Sequence, residues 1–179
     1  EDNYGFRMKN YFSSNNFYYD STNITGSNGT ITVAGKKNIG IAIAQGTSSG
    51  DPISRVTGLN ILVNGEENVG FFRNVTTATN TNDMVLNNTT INSLNFGANA
   101  KKSTLVRSDQ NAVQLNKNIT VTSGLTGNSF AQASGTGTIK NTAILQSNLN
   151  EFTGLIANGS GASITNSGTI EITGNNNKN

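Results

Sequence analysis

The side chains that most often do chemistry are scarce in this chain of 179 residues. It has no histidine and no cysteine, which removes the commonest general base, the usual zinc ligands and the thiol nucleophile. There are ten acids: Glu1, Asp2, Asp20, Asp51, Glu66, Glu67, Asp83, Asp109, Glu151 and Glu171. Glu66 and Glu67 adjoin, but neighbours on an extended chain point to opposite sides and form no ready acid–base pair. Asp51, Asp83 and Asp109 would suit two-carboxylate glycoside hydrolysis if successive loops brought them to one groove. Nothing in their spacing requires that. Neither a Gly-Gly-x-Gly-x-Asp repeat nor an Asp-x-Asp-x-Asp-Gly loop occurs, so calcium is not indicated. The expectation is a non-enzyme without metal or cofactor.

What remains is the chemistry of contact. Tyr4, Tyr11, Tyr18 and Tyr19 offer apolar area with a hydroxyl at low entropy cost. Thr47, Ser48, Ser49 and Asp51 lie in the breaker-rich stretch 45–52, a polar loop by its Gly, Ser and Pro content. These eight positions are the candidate partner-binding residues, with 76–90 as a further candidate loop. The net charge is only +2, without the one-sided Lys and Arg clustering that nucleic acid demands.

The rest of the sequence says what would hold such groups outward. Only 34% of the chain is hydrophobic and 12% charged; Asn, Thr, Ser and Gly dominate. Polar tracts of this kind are often disordered. Here, however, the apolar residues recur in alternating pairs and triplets, as half-buried strands require. A single proline and the lack of any apolar stripe at helical spacing agree with an all-β chain.

Residues 28–43 read N-G-T-I-T-V-A-G-K-K-N-I-G-I-A-I, and residues 60–71 read N-I-L-V-N-G-E-E-N-V-G-F. Ile31, Val33, Gly35, Asn38, Ile39 and Gly40 correspond to Ile61, Val63, Gly65, Asn68, Val69 and Gly70, all at one offset of 30. A third copy, S-G-T-I-E-I-T-G-N-N-N, occupies 167–177. A strand–turn–strand phrase repeated with gaps marks a stacked-coil solenoid, here of about six to eight coils of roughly 20–30 residues. Residues 1–20, which hold seven of the twelve aromatics, are read as a cap or first coil and 21–179 as the coils. Within them, 76–90 is expected to be turn with a short apolar insert at Met84, Val85 and Leu86, and 134–138 a flexible break.

Three columns are expected if coils stack in register. Gly35, Gly65 and Gly174 would share a corner that needs φ > 0. Asn38, Asn68 and Asn177 would share a slot and ladder side chain to side chain. Lys36-Lys37, Glu66-Glu67 and Lys101-Lys102 would alternate in sign one strand spacing apart.

The phrases N-G-T-I-T-V-A-G-K-K-N-I-G-I and N-S-G-T-I-E-I-T-G-N-N-N resemble the repeat of type V autotransporter passenger domains, above all the Asn-rich passengers of fusobacterial-type surface adhesins. The likeness covers most of 21–179. It implies a single-stranded right-handed parallel β-helix, exported to the bacterial cell surface (outer membrane-anchored) or secreted. A translocator β-barrel would lie elsewhere in a longer chain. The implied partners are a host cell-surface protein or glycan, or other bacteria, met by a monomeric fragment. No site residue carries over from the resemblance. A purely structural spacer and a glycan-active enzyme are the alternative functions, and a left-handed trimeric β-roll is the competing fold, since N-I-G-I-A-I-A resembles its short repeats.

Overall fold

The computed structural model describes residues 3–10, 17–19, 30–44, 58–74 and 83–178, with the backbone alone at 3–10, 17–19 and 43–44. The described residues contain strands and turns and no helix. The repeated phrase forms the strands its alternation predicts: β3 (Thr30–Lys36) and β4 (Asn38–Ala44), then β5 (Leu59–Glu66) and β6 (Val69–Asn74). They pair parallel in the register that the repeat dictates, with Ile31 beside Ile61, Gly35 beside Gly65 and Ile39 beside Val69.

The strands stack into three faces. The first holds β3, β5 and β8 (Ile91–Phe96), then β10 (Ile119–Val121), β12 (Ile144–Ser147) and β15 (Thr169–Ile172). Its two sheets meet where β8 and β10 come together. The second face holds β1 (Asn3–Asn10), β4, β6, the first halves of β9 (Thr104–Asn116) and β11 (Ser129–Asn141), and β13 (Thr153–Asn158). A short antiparallel strand, β2 (Phe17–Tyr19), lies on the outer edge of β1. The third face holds β7 (Met84–Asn87), the second halves of β9 and β11, and β14 (Ser163–Asn166). The molecule is a parallel β-solenoid of about five turns.

That is fewer turns than the six to eight expected, because the early coils use more chain. Equivalent corners are 30 and then 35 residues apart in the first coils and 24 or 25 apart in the later ones. Two local expectations also change. The insert at Met84, Val85 and Leu86 is a strand in its own right, paired with Val113, Gln114 and Leu115. The segment 134–138 is no break: β11 runs through it as one 13-residue strand that turns a corner at a bulge, with Gly135 at φ 58°. Gly137 keeps that corner tight, since a methyl there would lie 2.0 Å from the Ser108 carbonyl.

Inward side chains from all three faces fill one continuous core. Phe71, Val106 and Ala131 follow one another down the second face, and Met84, Val113 and Ile139 down the third, all fully buried. Phe152 meets Phe130 and Phe96 edge-on, with ring centroids 4.7 and 6.2 Å apart. Each such side chain contributes about 1.5–3 kcal/mol by leaving water. Arg73 is also fully buried, and its guanidinium donates to the Ala112 carbonyl.

One corner carries most of the polar order. The slot anticipated for Asn38, Asn68 and Asn177 also takes Ser103, Asn128 and Phe152. Its bonding differs from the expected side-chain ladder. The Oδ1 of Asn68 accepts the Asn38 N–H at 2.8 Å, the Ser103 hydroxyl accepts the Asn68 N–H at 3.0 Å, and Asn128 Oδ1 accepts the Ser103 N–H at 2.9 Å. Asn177 does the same for the Phe152 N–H at 2.7 Å. These four polar side chains therefore satisfy the backbone of the coil before them, where a buried amide would otherwise be stranded. The residue just before the slot is left-handed at each of six described corners: Lys37, Glu67, Lys102, Gly127, Glu151 and Asn176 have φ between 50° and 77°. Only one of the six is glycine. Gly35 and Gly65 have positive φ as expected, but Gly174 does not; its glycine is needed because a methyl would lie 2.0 Å from the Leu149 carbonyl.

Candidate binding face

The second face departs from simple alternation, and that departure makes a site. In β6, β9 and β11 two consecutive residues face inward: Gly70 and Phe71, Leu105 and Val106, Phe130 and Ala131. A methyl on Gly70 would come within 2.9 Å of the Val63 side chain, which confirms its direction. The doubled step bends each strand and turns the next residue outward. Ala42, Phe72, Arg107 and Gln132 thus form one outer column, in register across four coils. Ile39, Val69 and Thr104 form a parallel column nearer the slot corner.

Between the columns lies a groove of about 480 Å³. Its floor is Ile39, Val69, Phe72, Thr104, Arg107 and Gln132; Lys37, Glu67 and Lys102 stand on one rim, Asn74 and Asp109 on the other. Ile39, Ala42, Val69 and Phe72 make a second apolar cluster, separate from the core and on the outside of the sheet. All four are at most 9% exposed, so they form a packed apolar floor rather than an open apolar patch.

Arg107 is held rigidly over the floor. Its Nε and Nη2 donate to Asp109 at 2.7 and 3.0 Å, and its Cζ lies 5.5 Å from the centre of the Phe72 ring. A two-pronged ion pair and a cation–π contact together fix the guanidinium plane. Beside it the hydroxyls of Thr104 and Ser129 are bonded at 2.9 Å, and Gln132 donates to Ser134 at 2.9 Å.

The slot-corner rim carries the alternating charges that the sequence predicted. Lys36 lies 3.2 Å from Glu66 and 3.7 Å from Glu67, and Lys37 lies 3.7 Å from Glu67. The hydrogen bond and charge of Lys36 hold the Glu66 carboxyl below its ordinary pKa, and Glu66 raises Lys36 in return. Among the described residues Lys102 makes no close ion pair, and its charge acts on Glu66 at longer range. Such a surface suits holding a partner with both apolar and hydrogen-bonding groups.

The residues singled out from sequence fall differently. Tyr4 occupies the register position beside Ile39 in β1, next to the groove, while Tyr18 and Tyr19 pair with Lys9 and Met8 through β2. Tyr11, Thr47, Ser48, Ser49 and Asp51 lie outside the described residues. Of the three aspartates considered for hydrolysis, Asp109 is tied to Arg107, Asp83 is tied to Lys140 at 2.6 Å, and Asp51 lies outside the described residues. Among the described residues no three acids gather as a metal site.

Phe72, Arg107 and Gln132 escaped the sequence reading, and Asp109 entered it only as a possible hydrolytic acid. One signal was present: Phe71-Phe72 in a strand must put one ring on each side of the sheet. No family model, curated protein or solved structure matches the chain.

Proposed function

We propose that this chain is a segment of a bacterial cell-surface adhesin of the autotransporter type. The β-solenoid is its stiff stalk, and the groove on the second face is where it meets a protein or glycan on a host cell or on another bacterium. The translocator barrel belongs to another part of a longer chain, and the segment acts outside the outer membrane. The observation that carries this reading is the outer cluster of Ile39, Val69 and Phe72 beneath the Arg107–Asp109 pair. A spacer needs only a solvated exterior. A groove with a packed apolar floor and a fixed guanidinium offers a shaped contact that a spacer has no use for.

Binding of the fluorescently labelled chain to epithelial cells and to bacterial co-aggregation partners tests it. Arg107→Glu should reduce binding at least tenfold, whereas Glu171→Lys on the first face should leave it unchanged. If the unmodified chain binds no cell, the spacer reading replaces this one. If only replacement of 45–52 by Gly and Ser abolishes binding, the contact lies in that loop and not in the groove.

A further inference from the structure

The charges beside the groove do not cancel. At the slot corner Lys36-Lys37 and Lys101-Lys102 flank Glu66-Glu67 in adjoining coils, which sets four lysines against two glutamates. That surplus equals the net charge of the whole chain, so the remaining charges balance. In the next coil the same corner holds Thr126-Gly127, without charge. On the opposite rim Asp109 is matched by Arg107. The excess positive charge of the groove therefore lies along one rim, in the three coils that the groove spans.

The order along that rim is Lys37, Glu67, Lys102, one coil apart, so the backbones of the two lysines are about 10 Å apart. The floor offers side chains only. β4, β6, β9 and β11 each have a partner on both edges, so the ladder takes their N–H and C=O groups. A peptide laid in the groove could not join the sheet, and its own backbone groups would lack a regular match. Sugar hydroxyls both donate and accept, which suits the side chains of Asn74, Arg107 and Gln132. Asp109 takes two of the five N–H donors of Arg107, whose side chain is 37% exposed.

We infer that the groove binds a linear acidic polysaccharide in which a uronate alternates with a neutral sugar. This deepens the adhesin reading and rests on the groove as its contact site. A hexose in an extended chain spans about one coil spacing. Uronates then fall at Lys37 and Lys102, and the neutral sugar between them presents hydroxyls to the Glu67 carboxylate, an acceptor of hydrogen bonds. A polymer charged at every unit would set a carboxylate against Glu67, which selects against it. The Arg107 guanidinium, fixed in plane by Asp109 and Phe72, adds donors on the floor.

Calorimetric titration of the unmodified chain with hyaluronan octasaccharide, in which glucuronate alternates with a neutral amino sugar, tests this. Binding should weaken as salt rises. It should be at least tenfold tighter than to maltodextrin, galacturonate or glutamate oligomers of the same length. Lys102→Glu should weaken it at least tenfold. That variant keeps the fold, because the same left-handed corner position holds Glu67 and Glu151 in other coils. Lys117 bonds Asn88 outside the groove, so Lys117→Glu, with the same change in net charge, should leave binding unchanged. No binding, equal binding of any of the other oligomers, or equal losses for the two lysine variants would overturn the inference. Cell binding that depends on Arg107 without hyaluronan affinity would overturn it and leave the adhesin reading standing. Hyaluronan binding that depends on Lys102, without cell binding, would support it and remove the adhesin reading.

Discussion

The N-terminal coils built by β3 to β6 and the later coils built by β9 to β15 reach the same cross-section with different amounts of chain. Steps of 30 and 35 residues separate equivalent corners in the first region, against 24 or 25 in the second. The inward columns stay in register across the change. Lengthening an outside loop costs little, because closure entropy grows only with the logarithm of length. Losing an inward side chain costs about 2–5 kcal/mol. The solenoid therefore absorbs variation outside and none inside. The outer surfaces differ in kind as well. The early coils carry the apolar groove and charged rim, whereas the first face of the later coils is a polar row in which Gln146 donates to Glu171 at 2.9 Å.

The largest test of this contrast is in the shared core. Phe152→Ala should lower stability by about 3–5 kcal/mol in urea unfolding, because the ring touches Phe96 and Phe130 in the two preceding coils. A loss below about 1 kcal/mol would mean that the coils are not one cooperative core.

The slot ladder gives the next effect and separates the regions. Asn128→Ala strands the buried Ser103 N–H and should cost about 1–3 kcal/mol. Asn68→Ala frees the half-buried Asn38 N–H, which water can partly satisfy; each variant also loses two bonds from its own amide, Asn68 to Val33 and Gly35 and Asn128 to Ala100 and Leu125. Equal melting shifts for the two variants would show that burial at the slot is uniform along the rod. A larger loss at Asn128 would show that it tightens in the later coils.

Smaller again is the left-handed position. Glu151→Gly should raise stability by up to about 1 kcal/mol, since glycine removes strain at φ 50° at some cost in chain entropy. Glu67→Gly should gain less, because it also gives up the contacts with Lys36 and Lys37. If both variants gained equally in calorimetry, the corner charges would contribute nothing.

The corner charges themselves make the smallest prediction. Glu66 has a lowered pKa, so its contribution is complete above the ordinary carboxylate range and fades as pH falls through its folded value. Lys36 has a raised pKa, so its contribution is complete below the ordinary lysine range and fades as pH rises through its folded value. The melting temperature of the native chain should exceed that of Glu66→Gln slightly across the neutral plateau. The gap should shrink at both pH extremes and in high salt.

Much of this was legible in the chain. Alternation of Ile31 with Val33 and of Ile61 with Val63 named the strands, and the common offset set their register. Alternating Lys and Glu pairs marked the corner. The slot was found at Asn38, Asn68 and Asn177 but missed at Ser103, Asn128 and Phe152, because the step shortens to 24 or 25 residues and serine and phenylalanine replace asparagine. The groove was not found. Phe72, Arg107 and Gln132 are neighbours only because one coil of chain separates each from the next.

By itself, then, the sequence determined a parallel β-solenoid and the register of its repeated phrase, since side-chain alternation is a local property that each strand carries. Tertiary stacking decided the number of turns, the course of β11 through its corner and the groove. These depend on how much chain each coil spends before returning to its column, and on which side chains then meet across coils; both are set by contacts that sequence neighbours do not make.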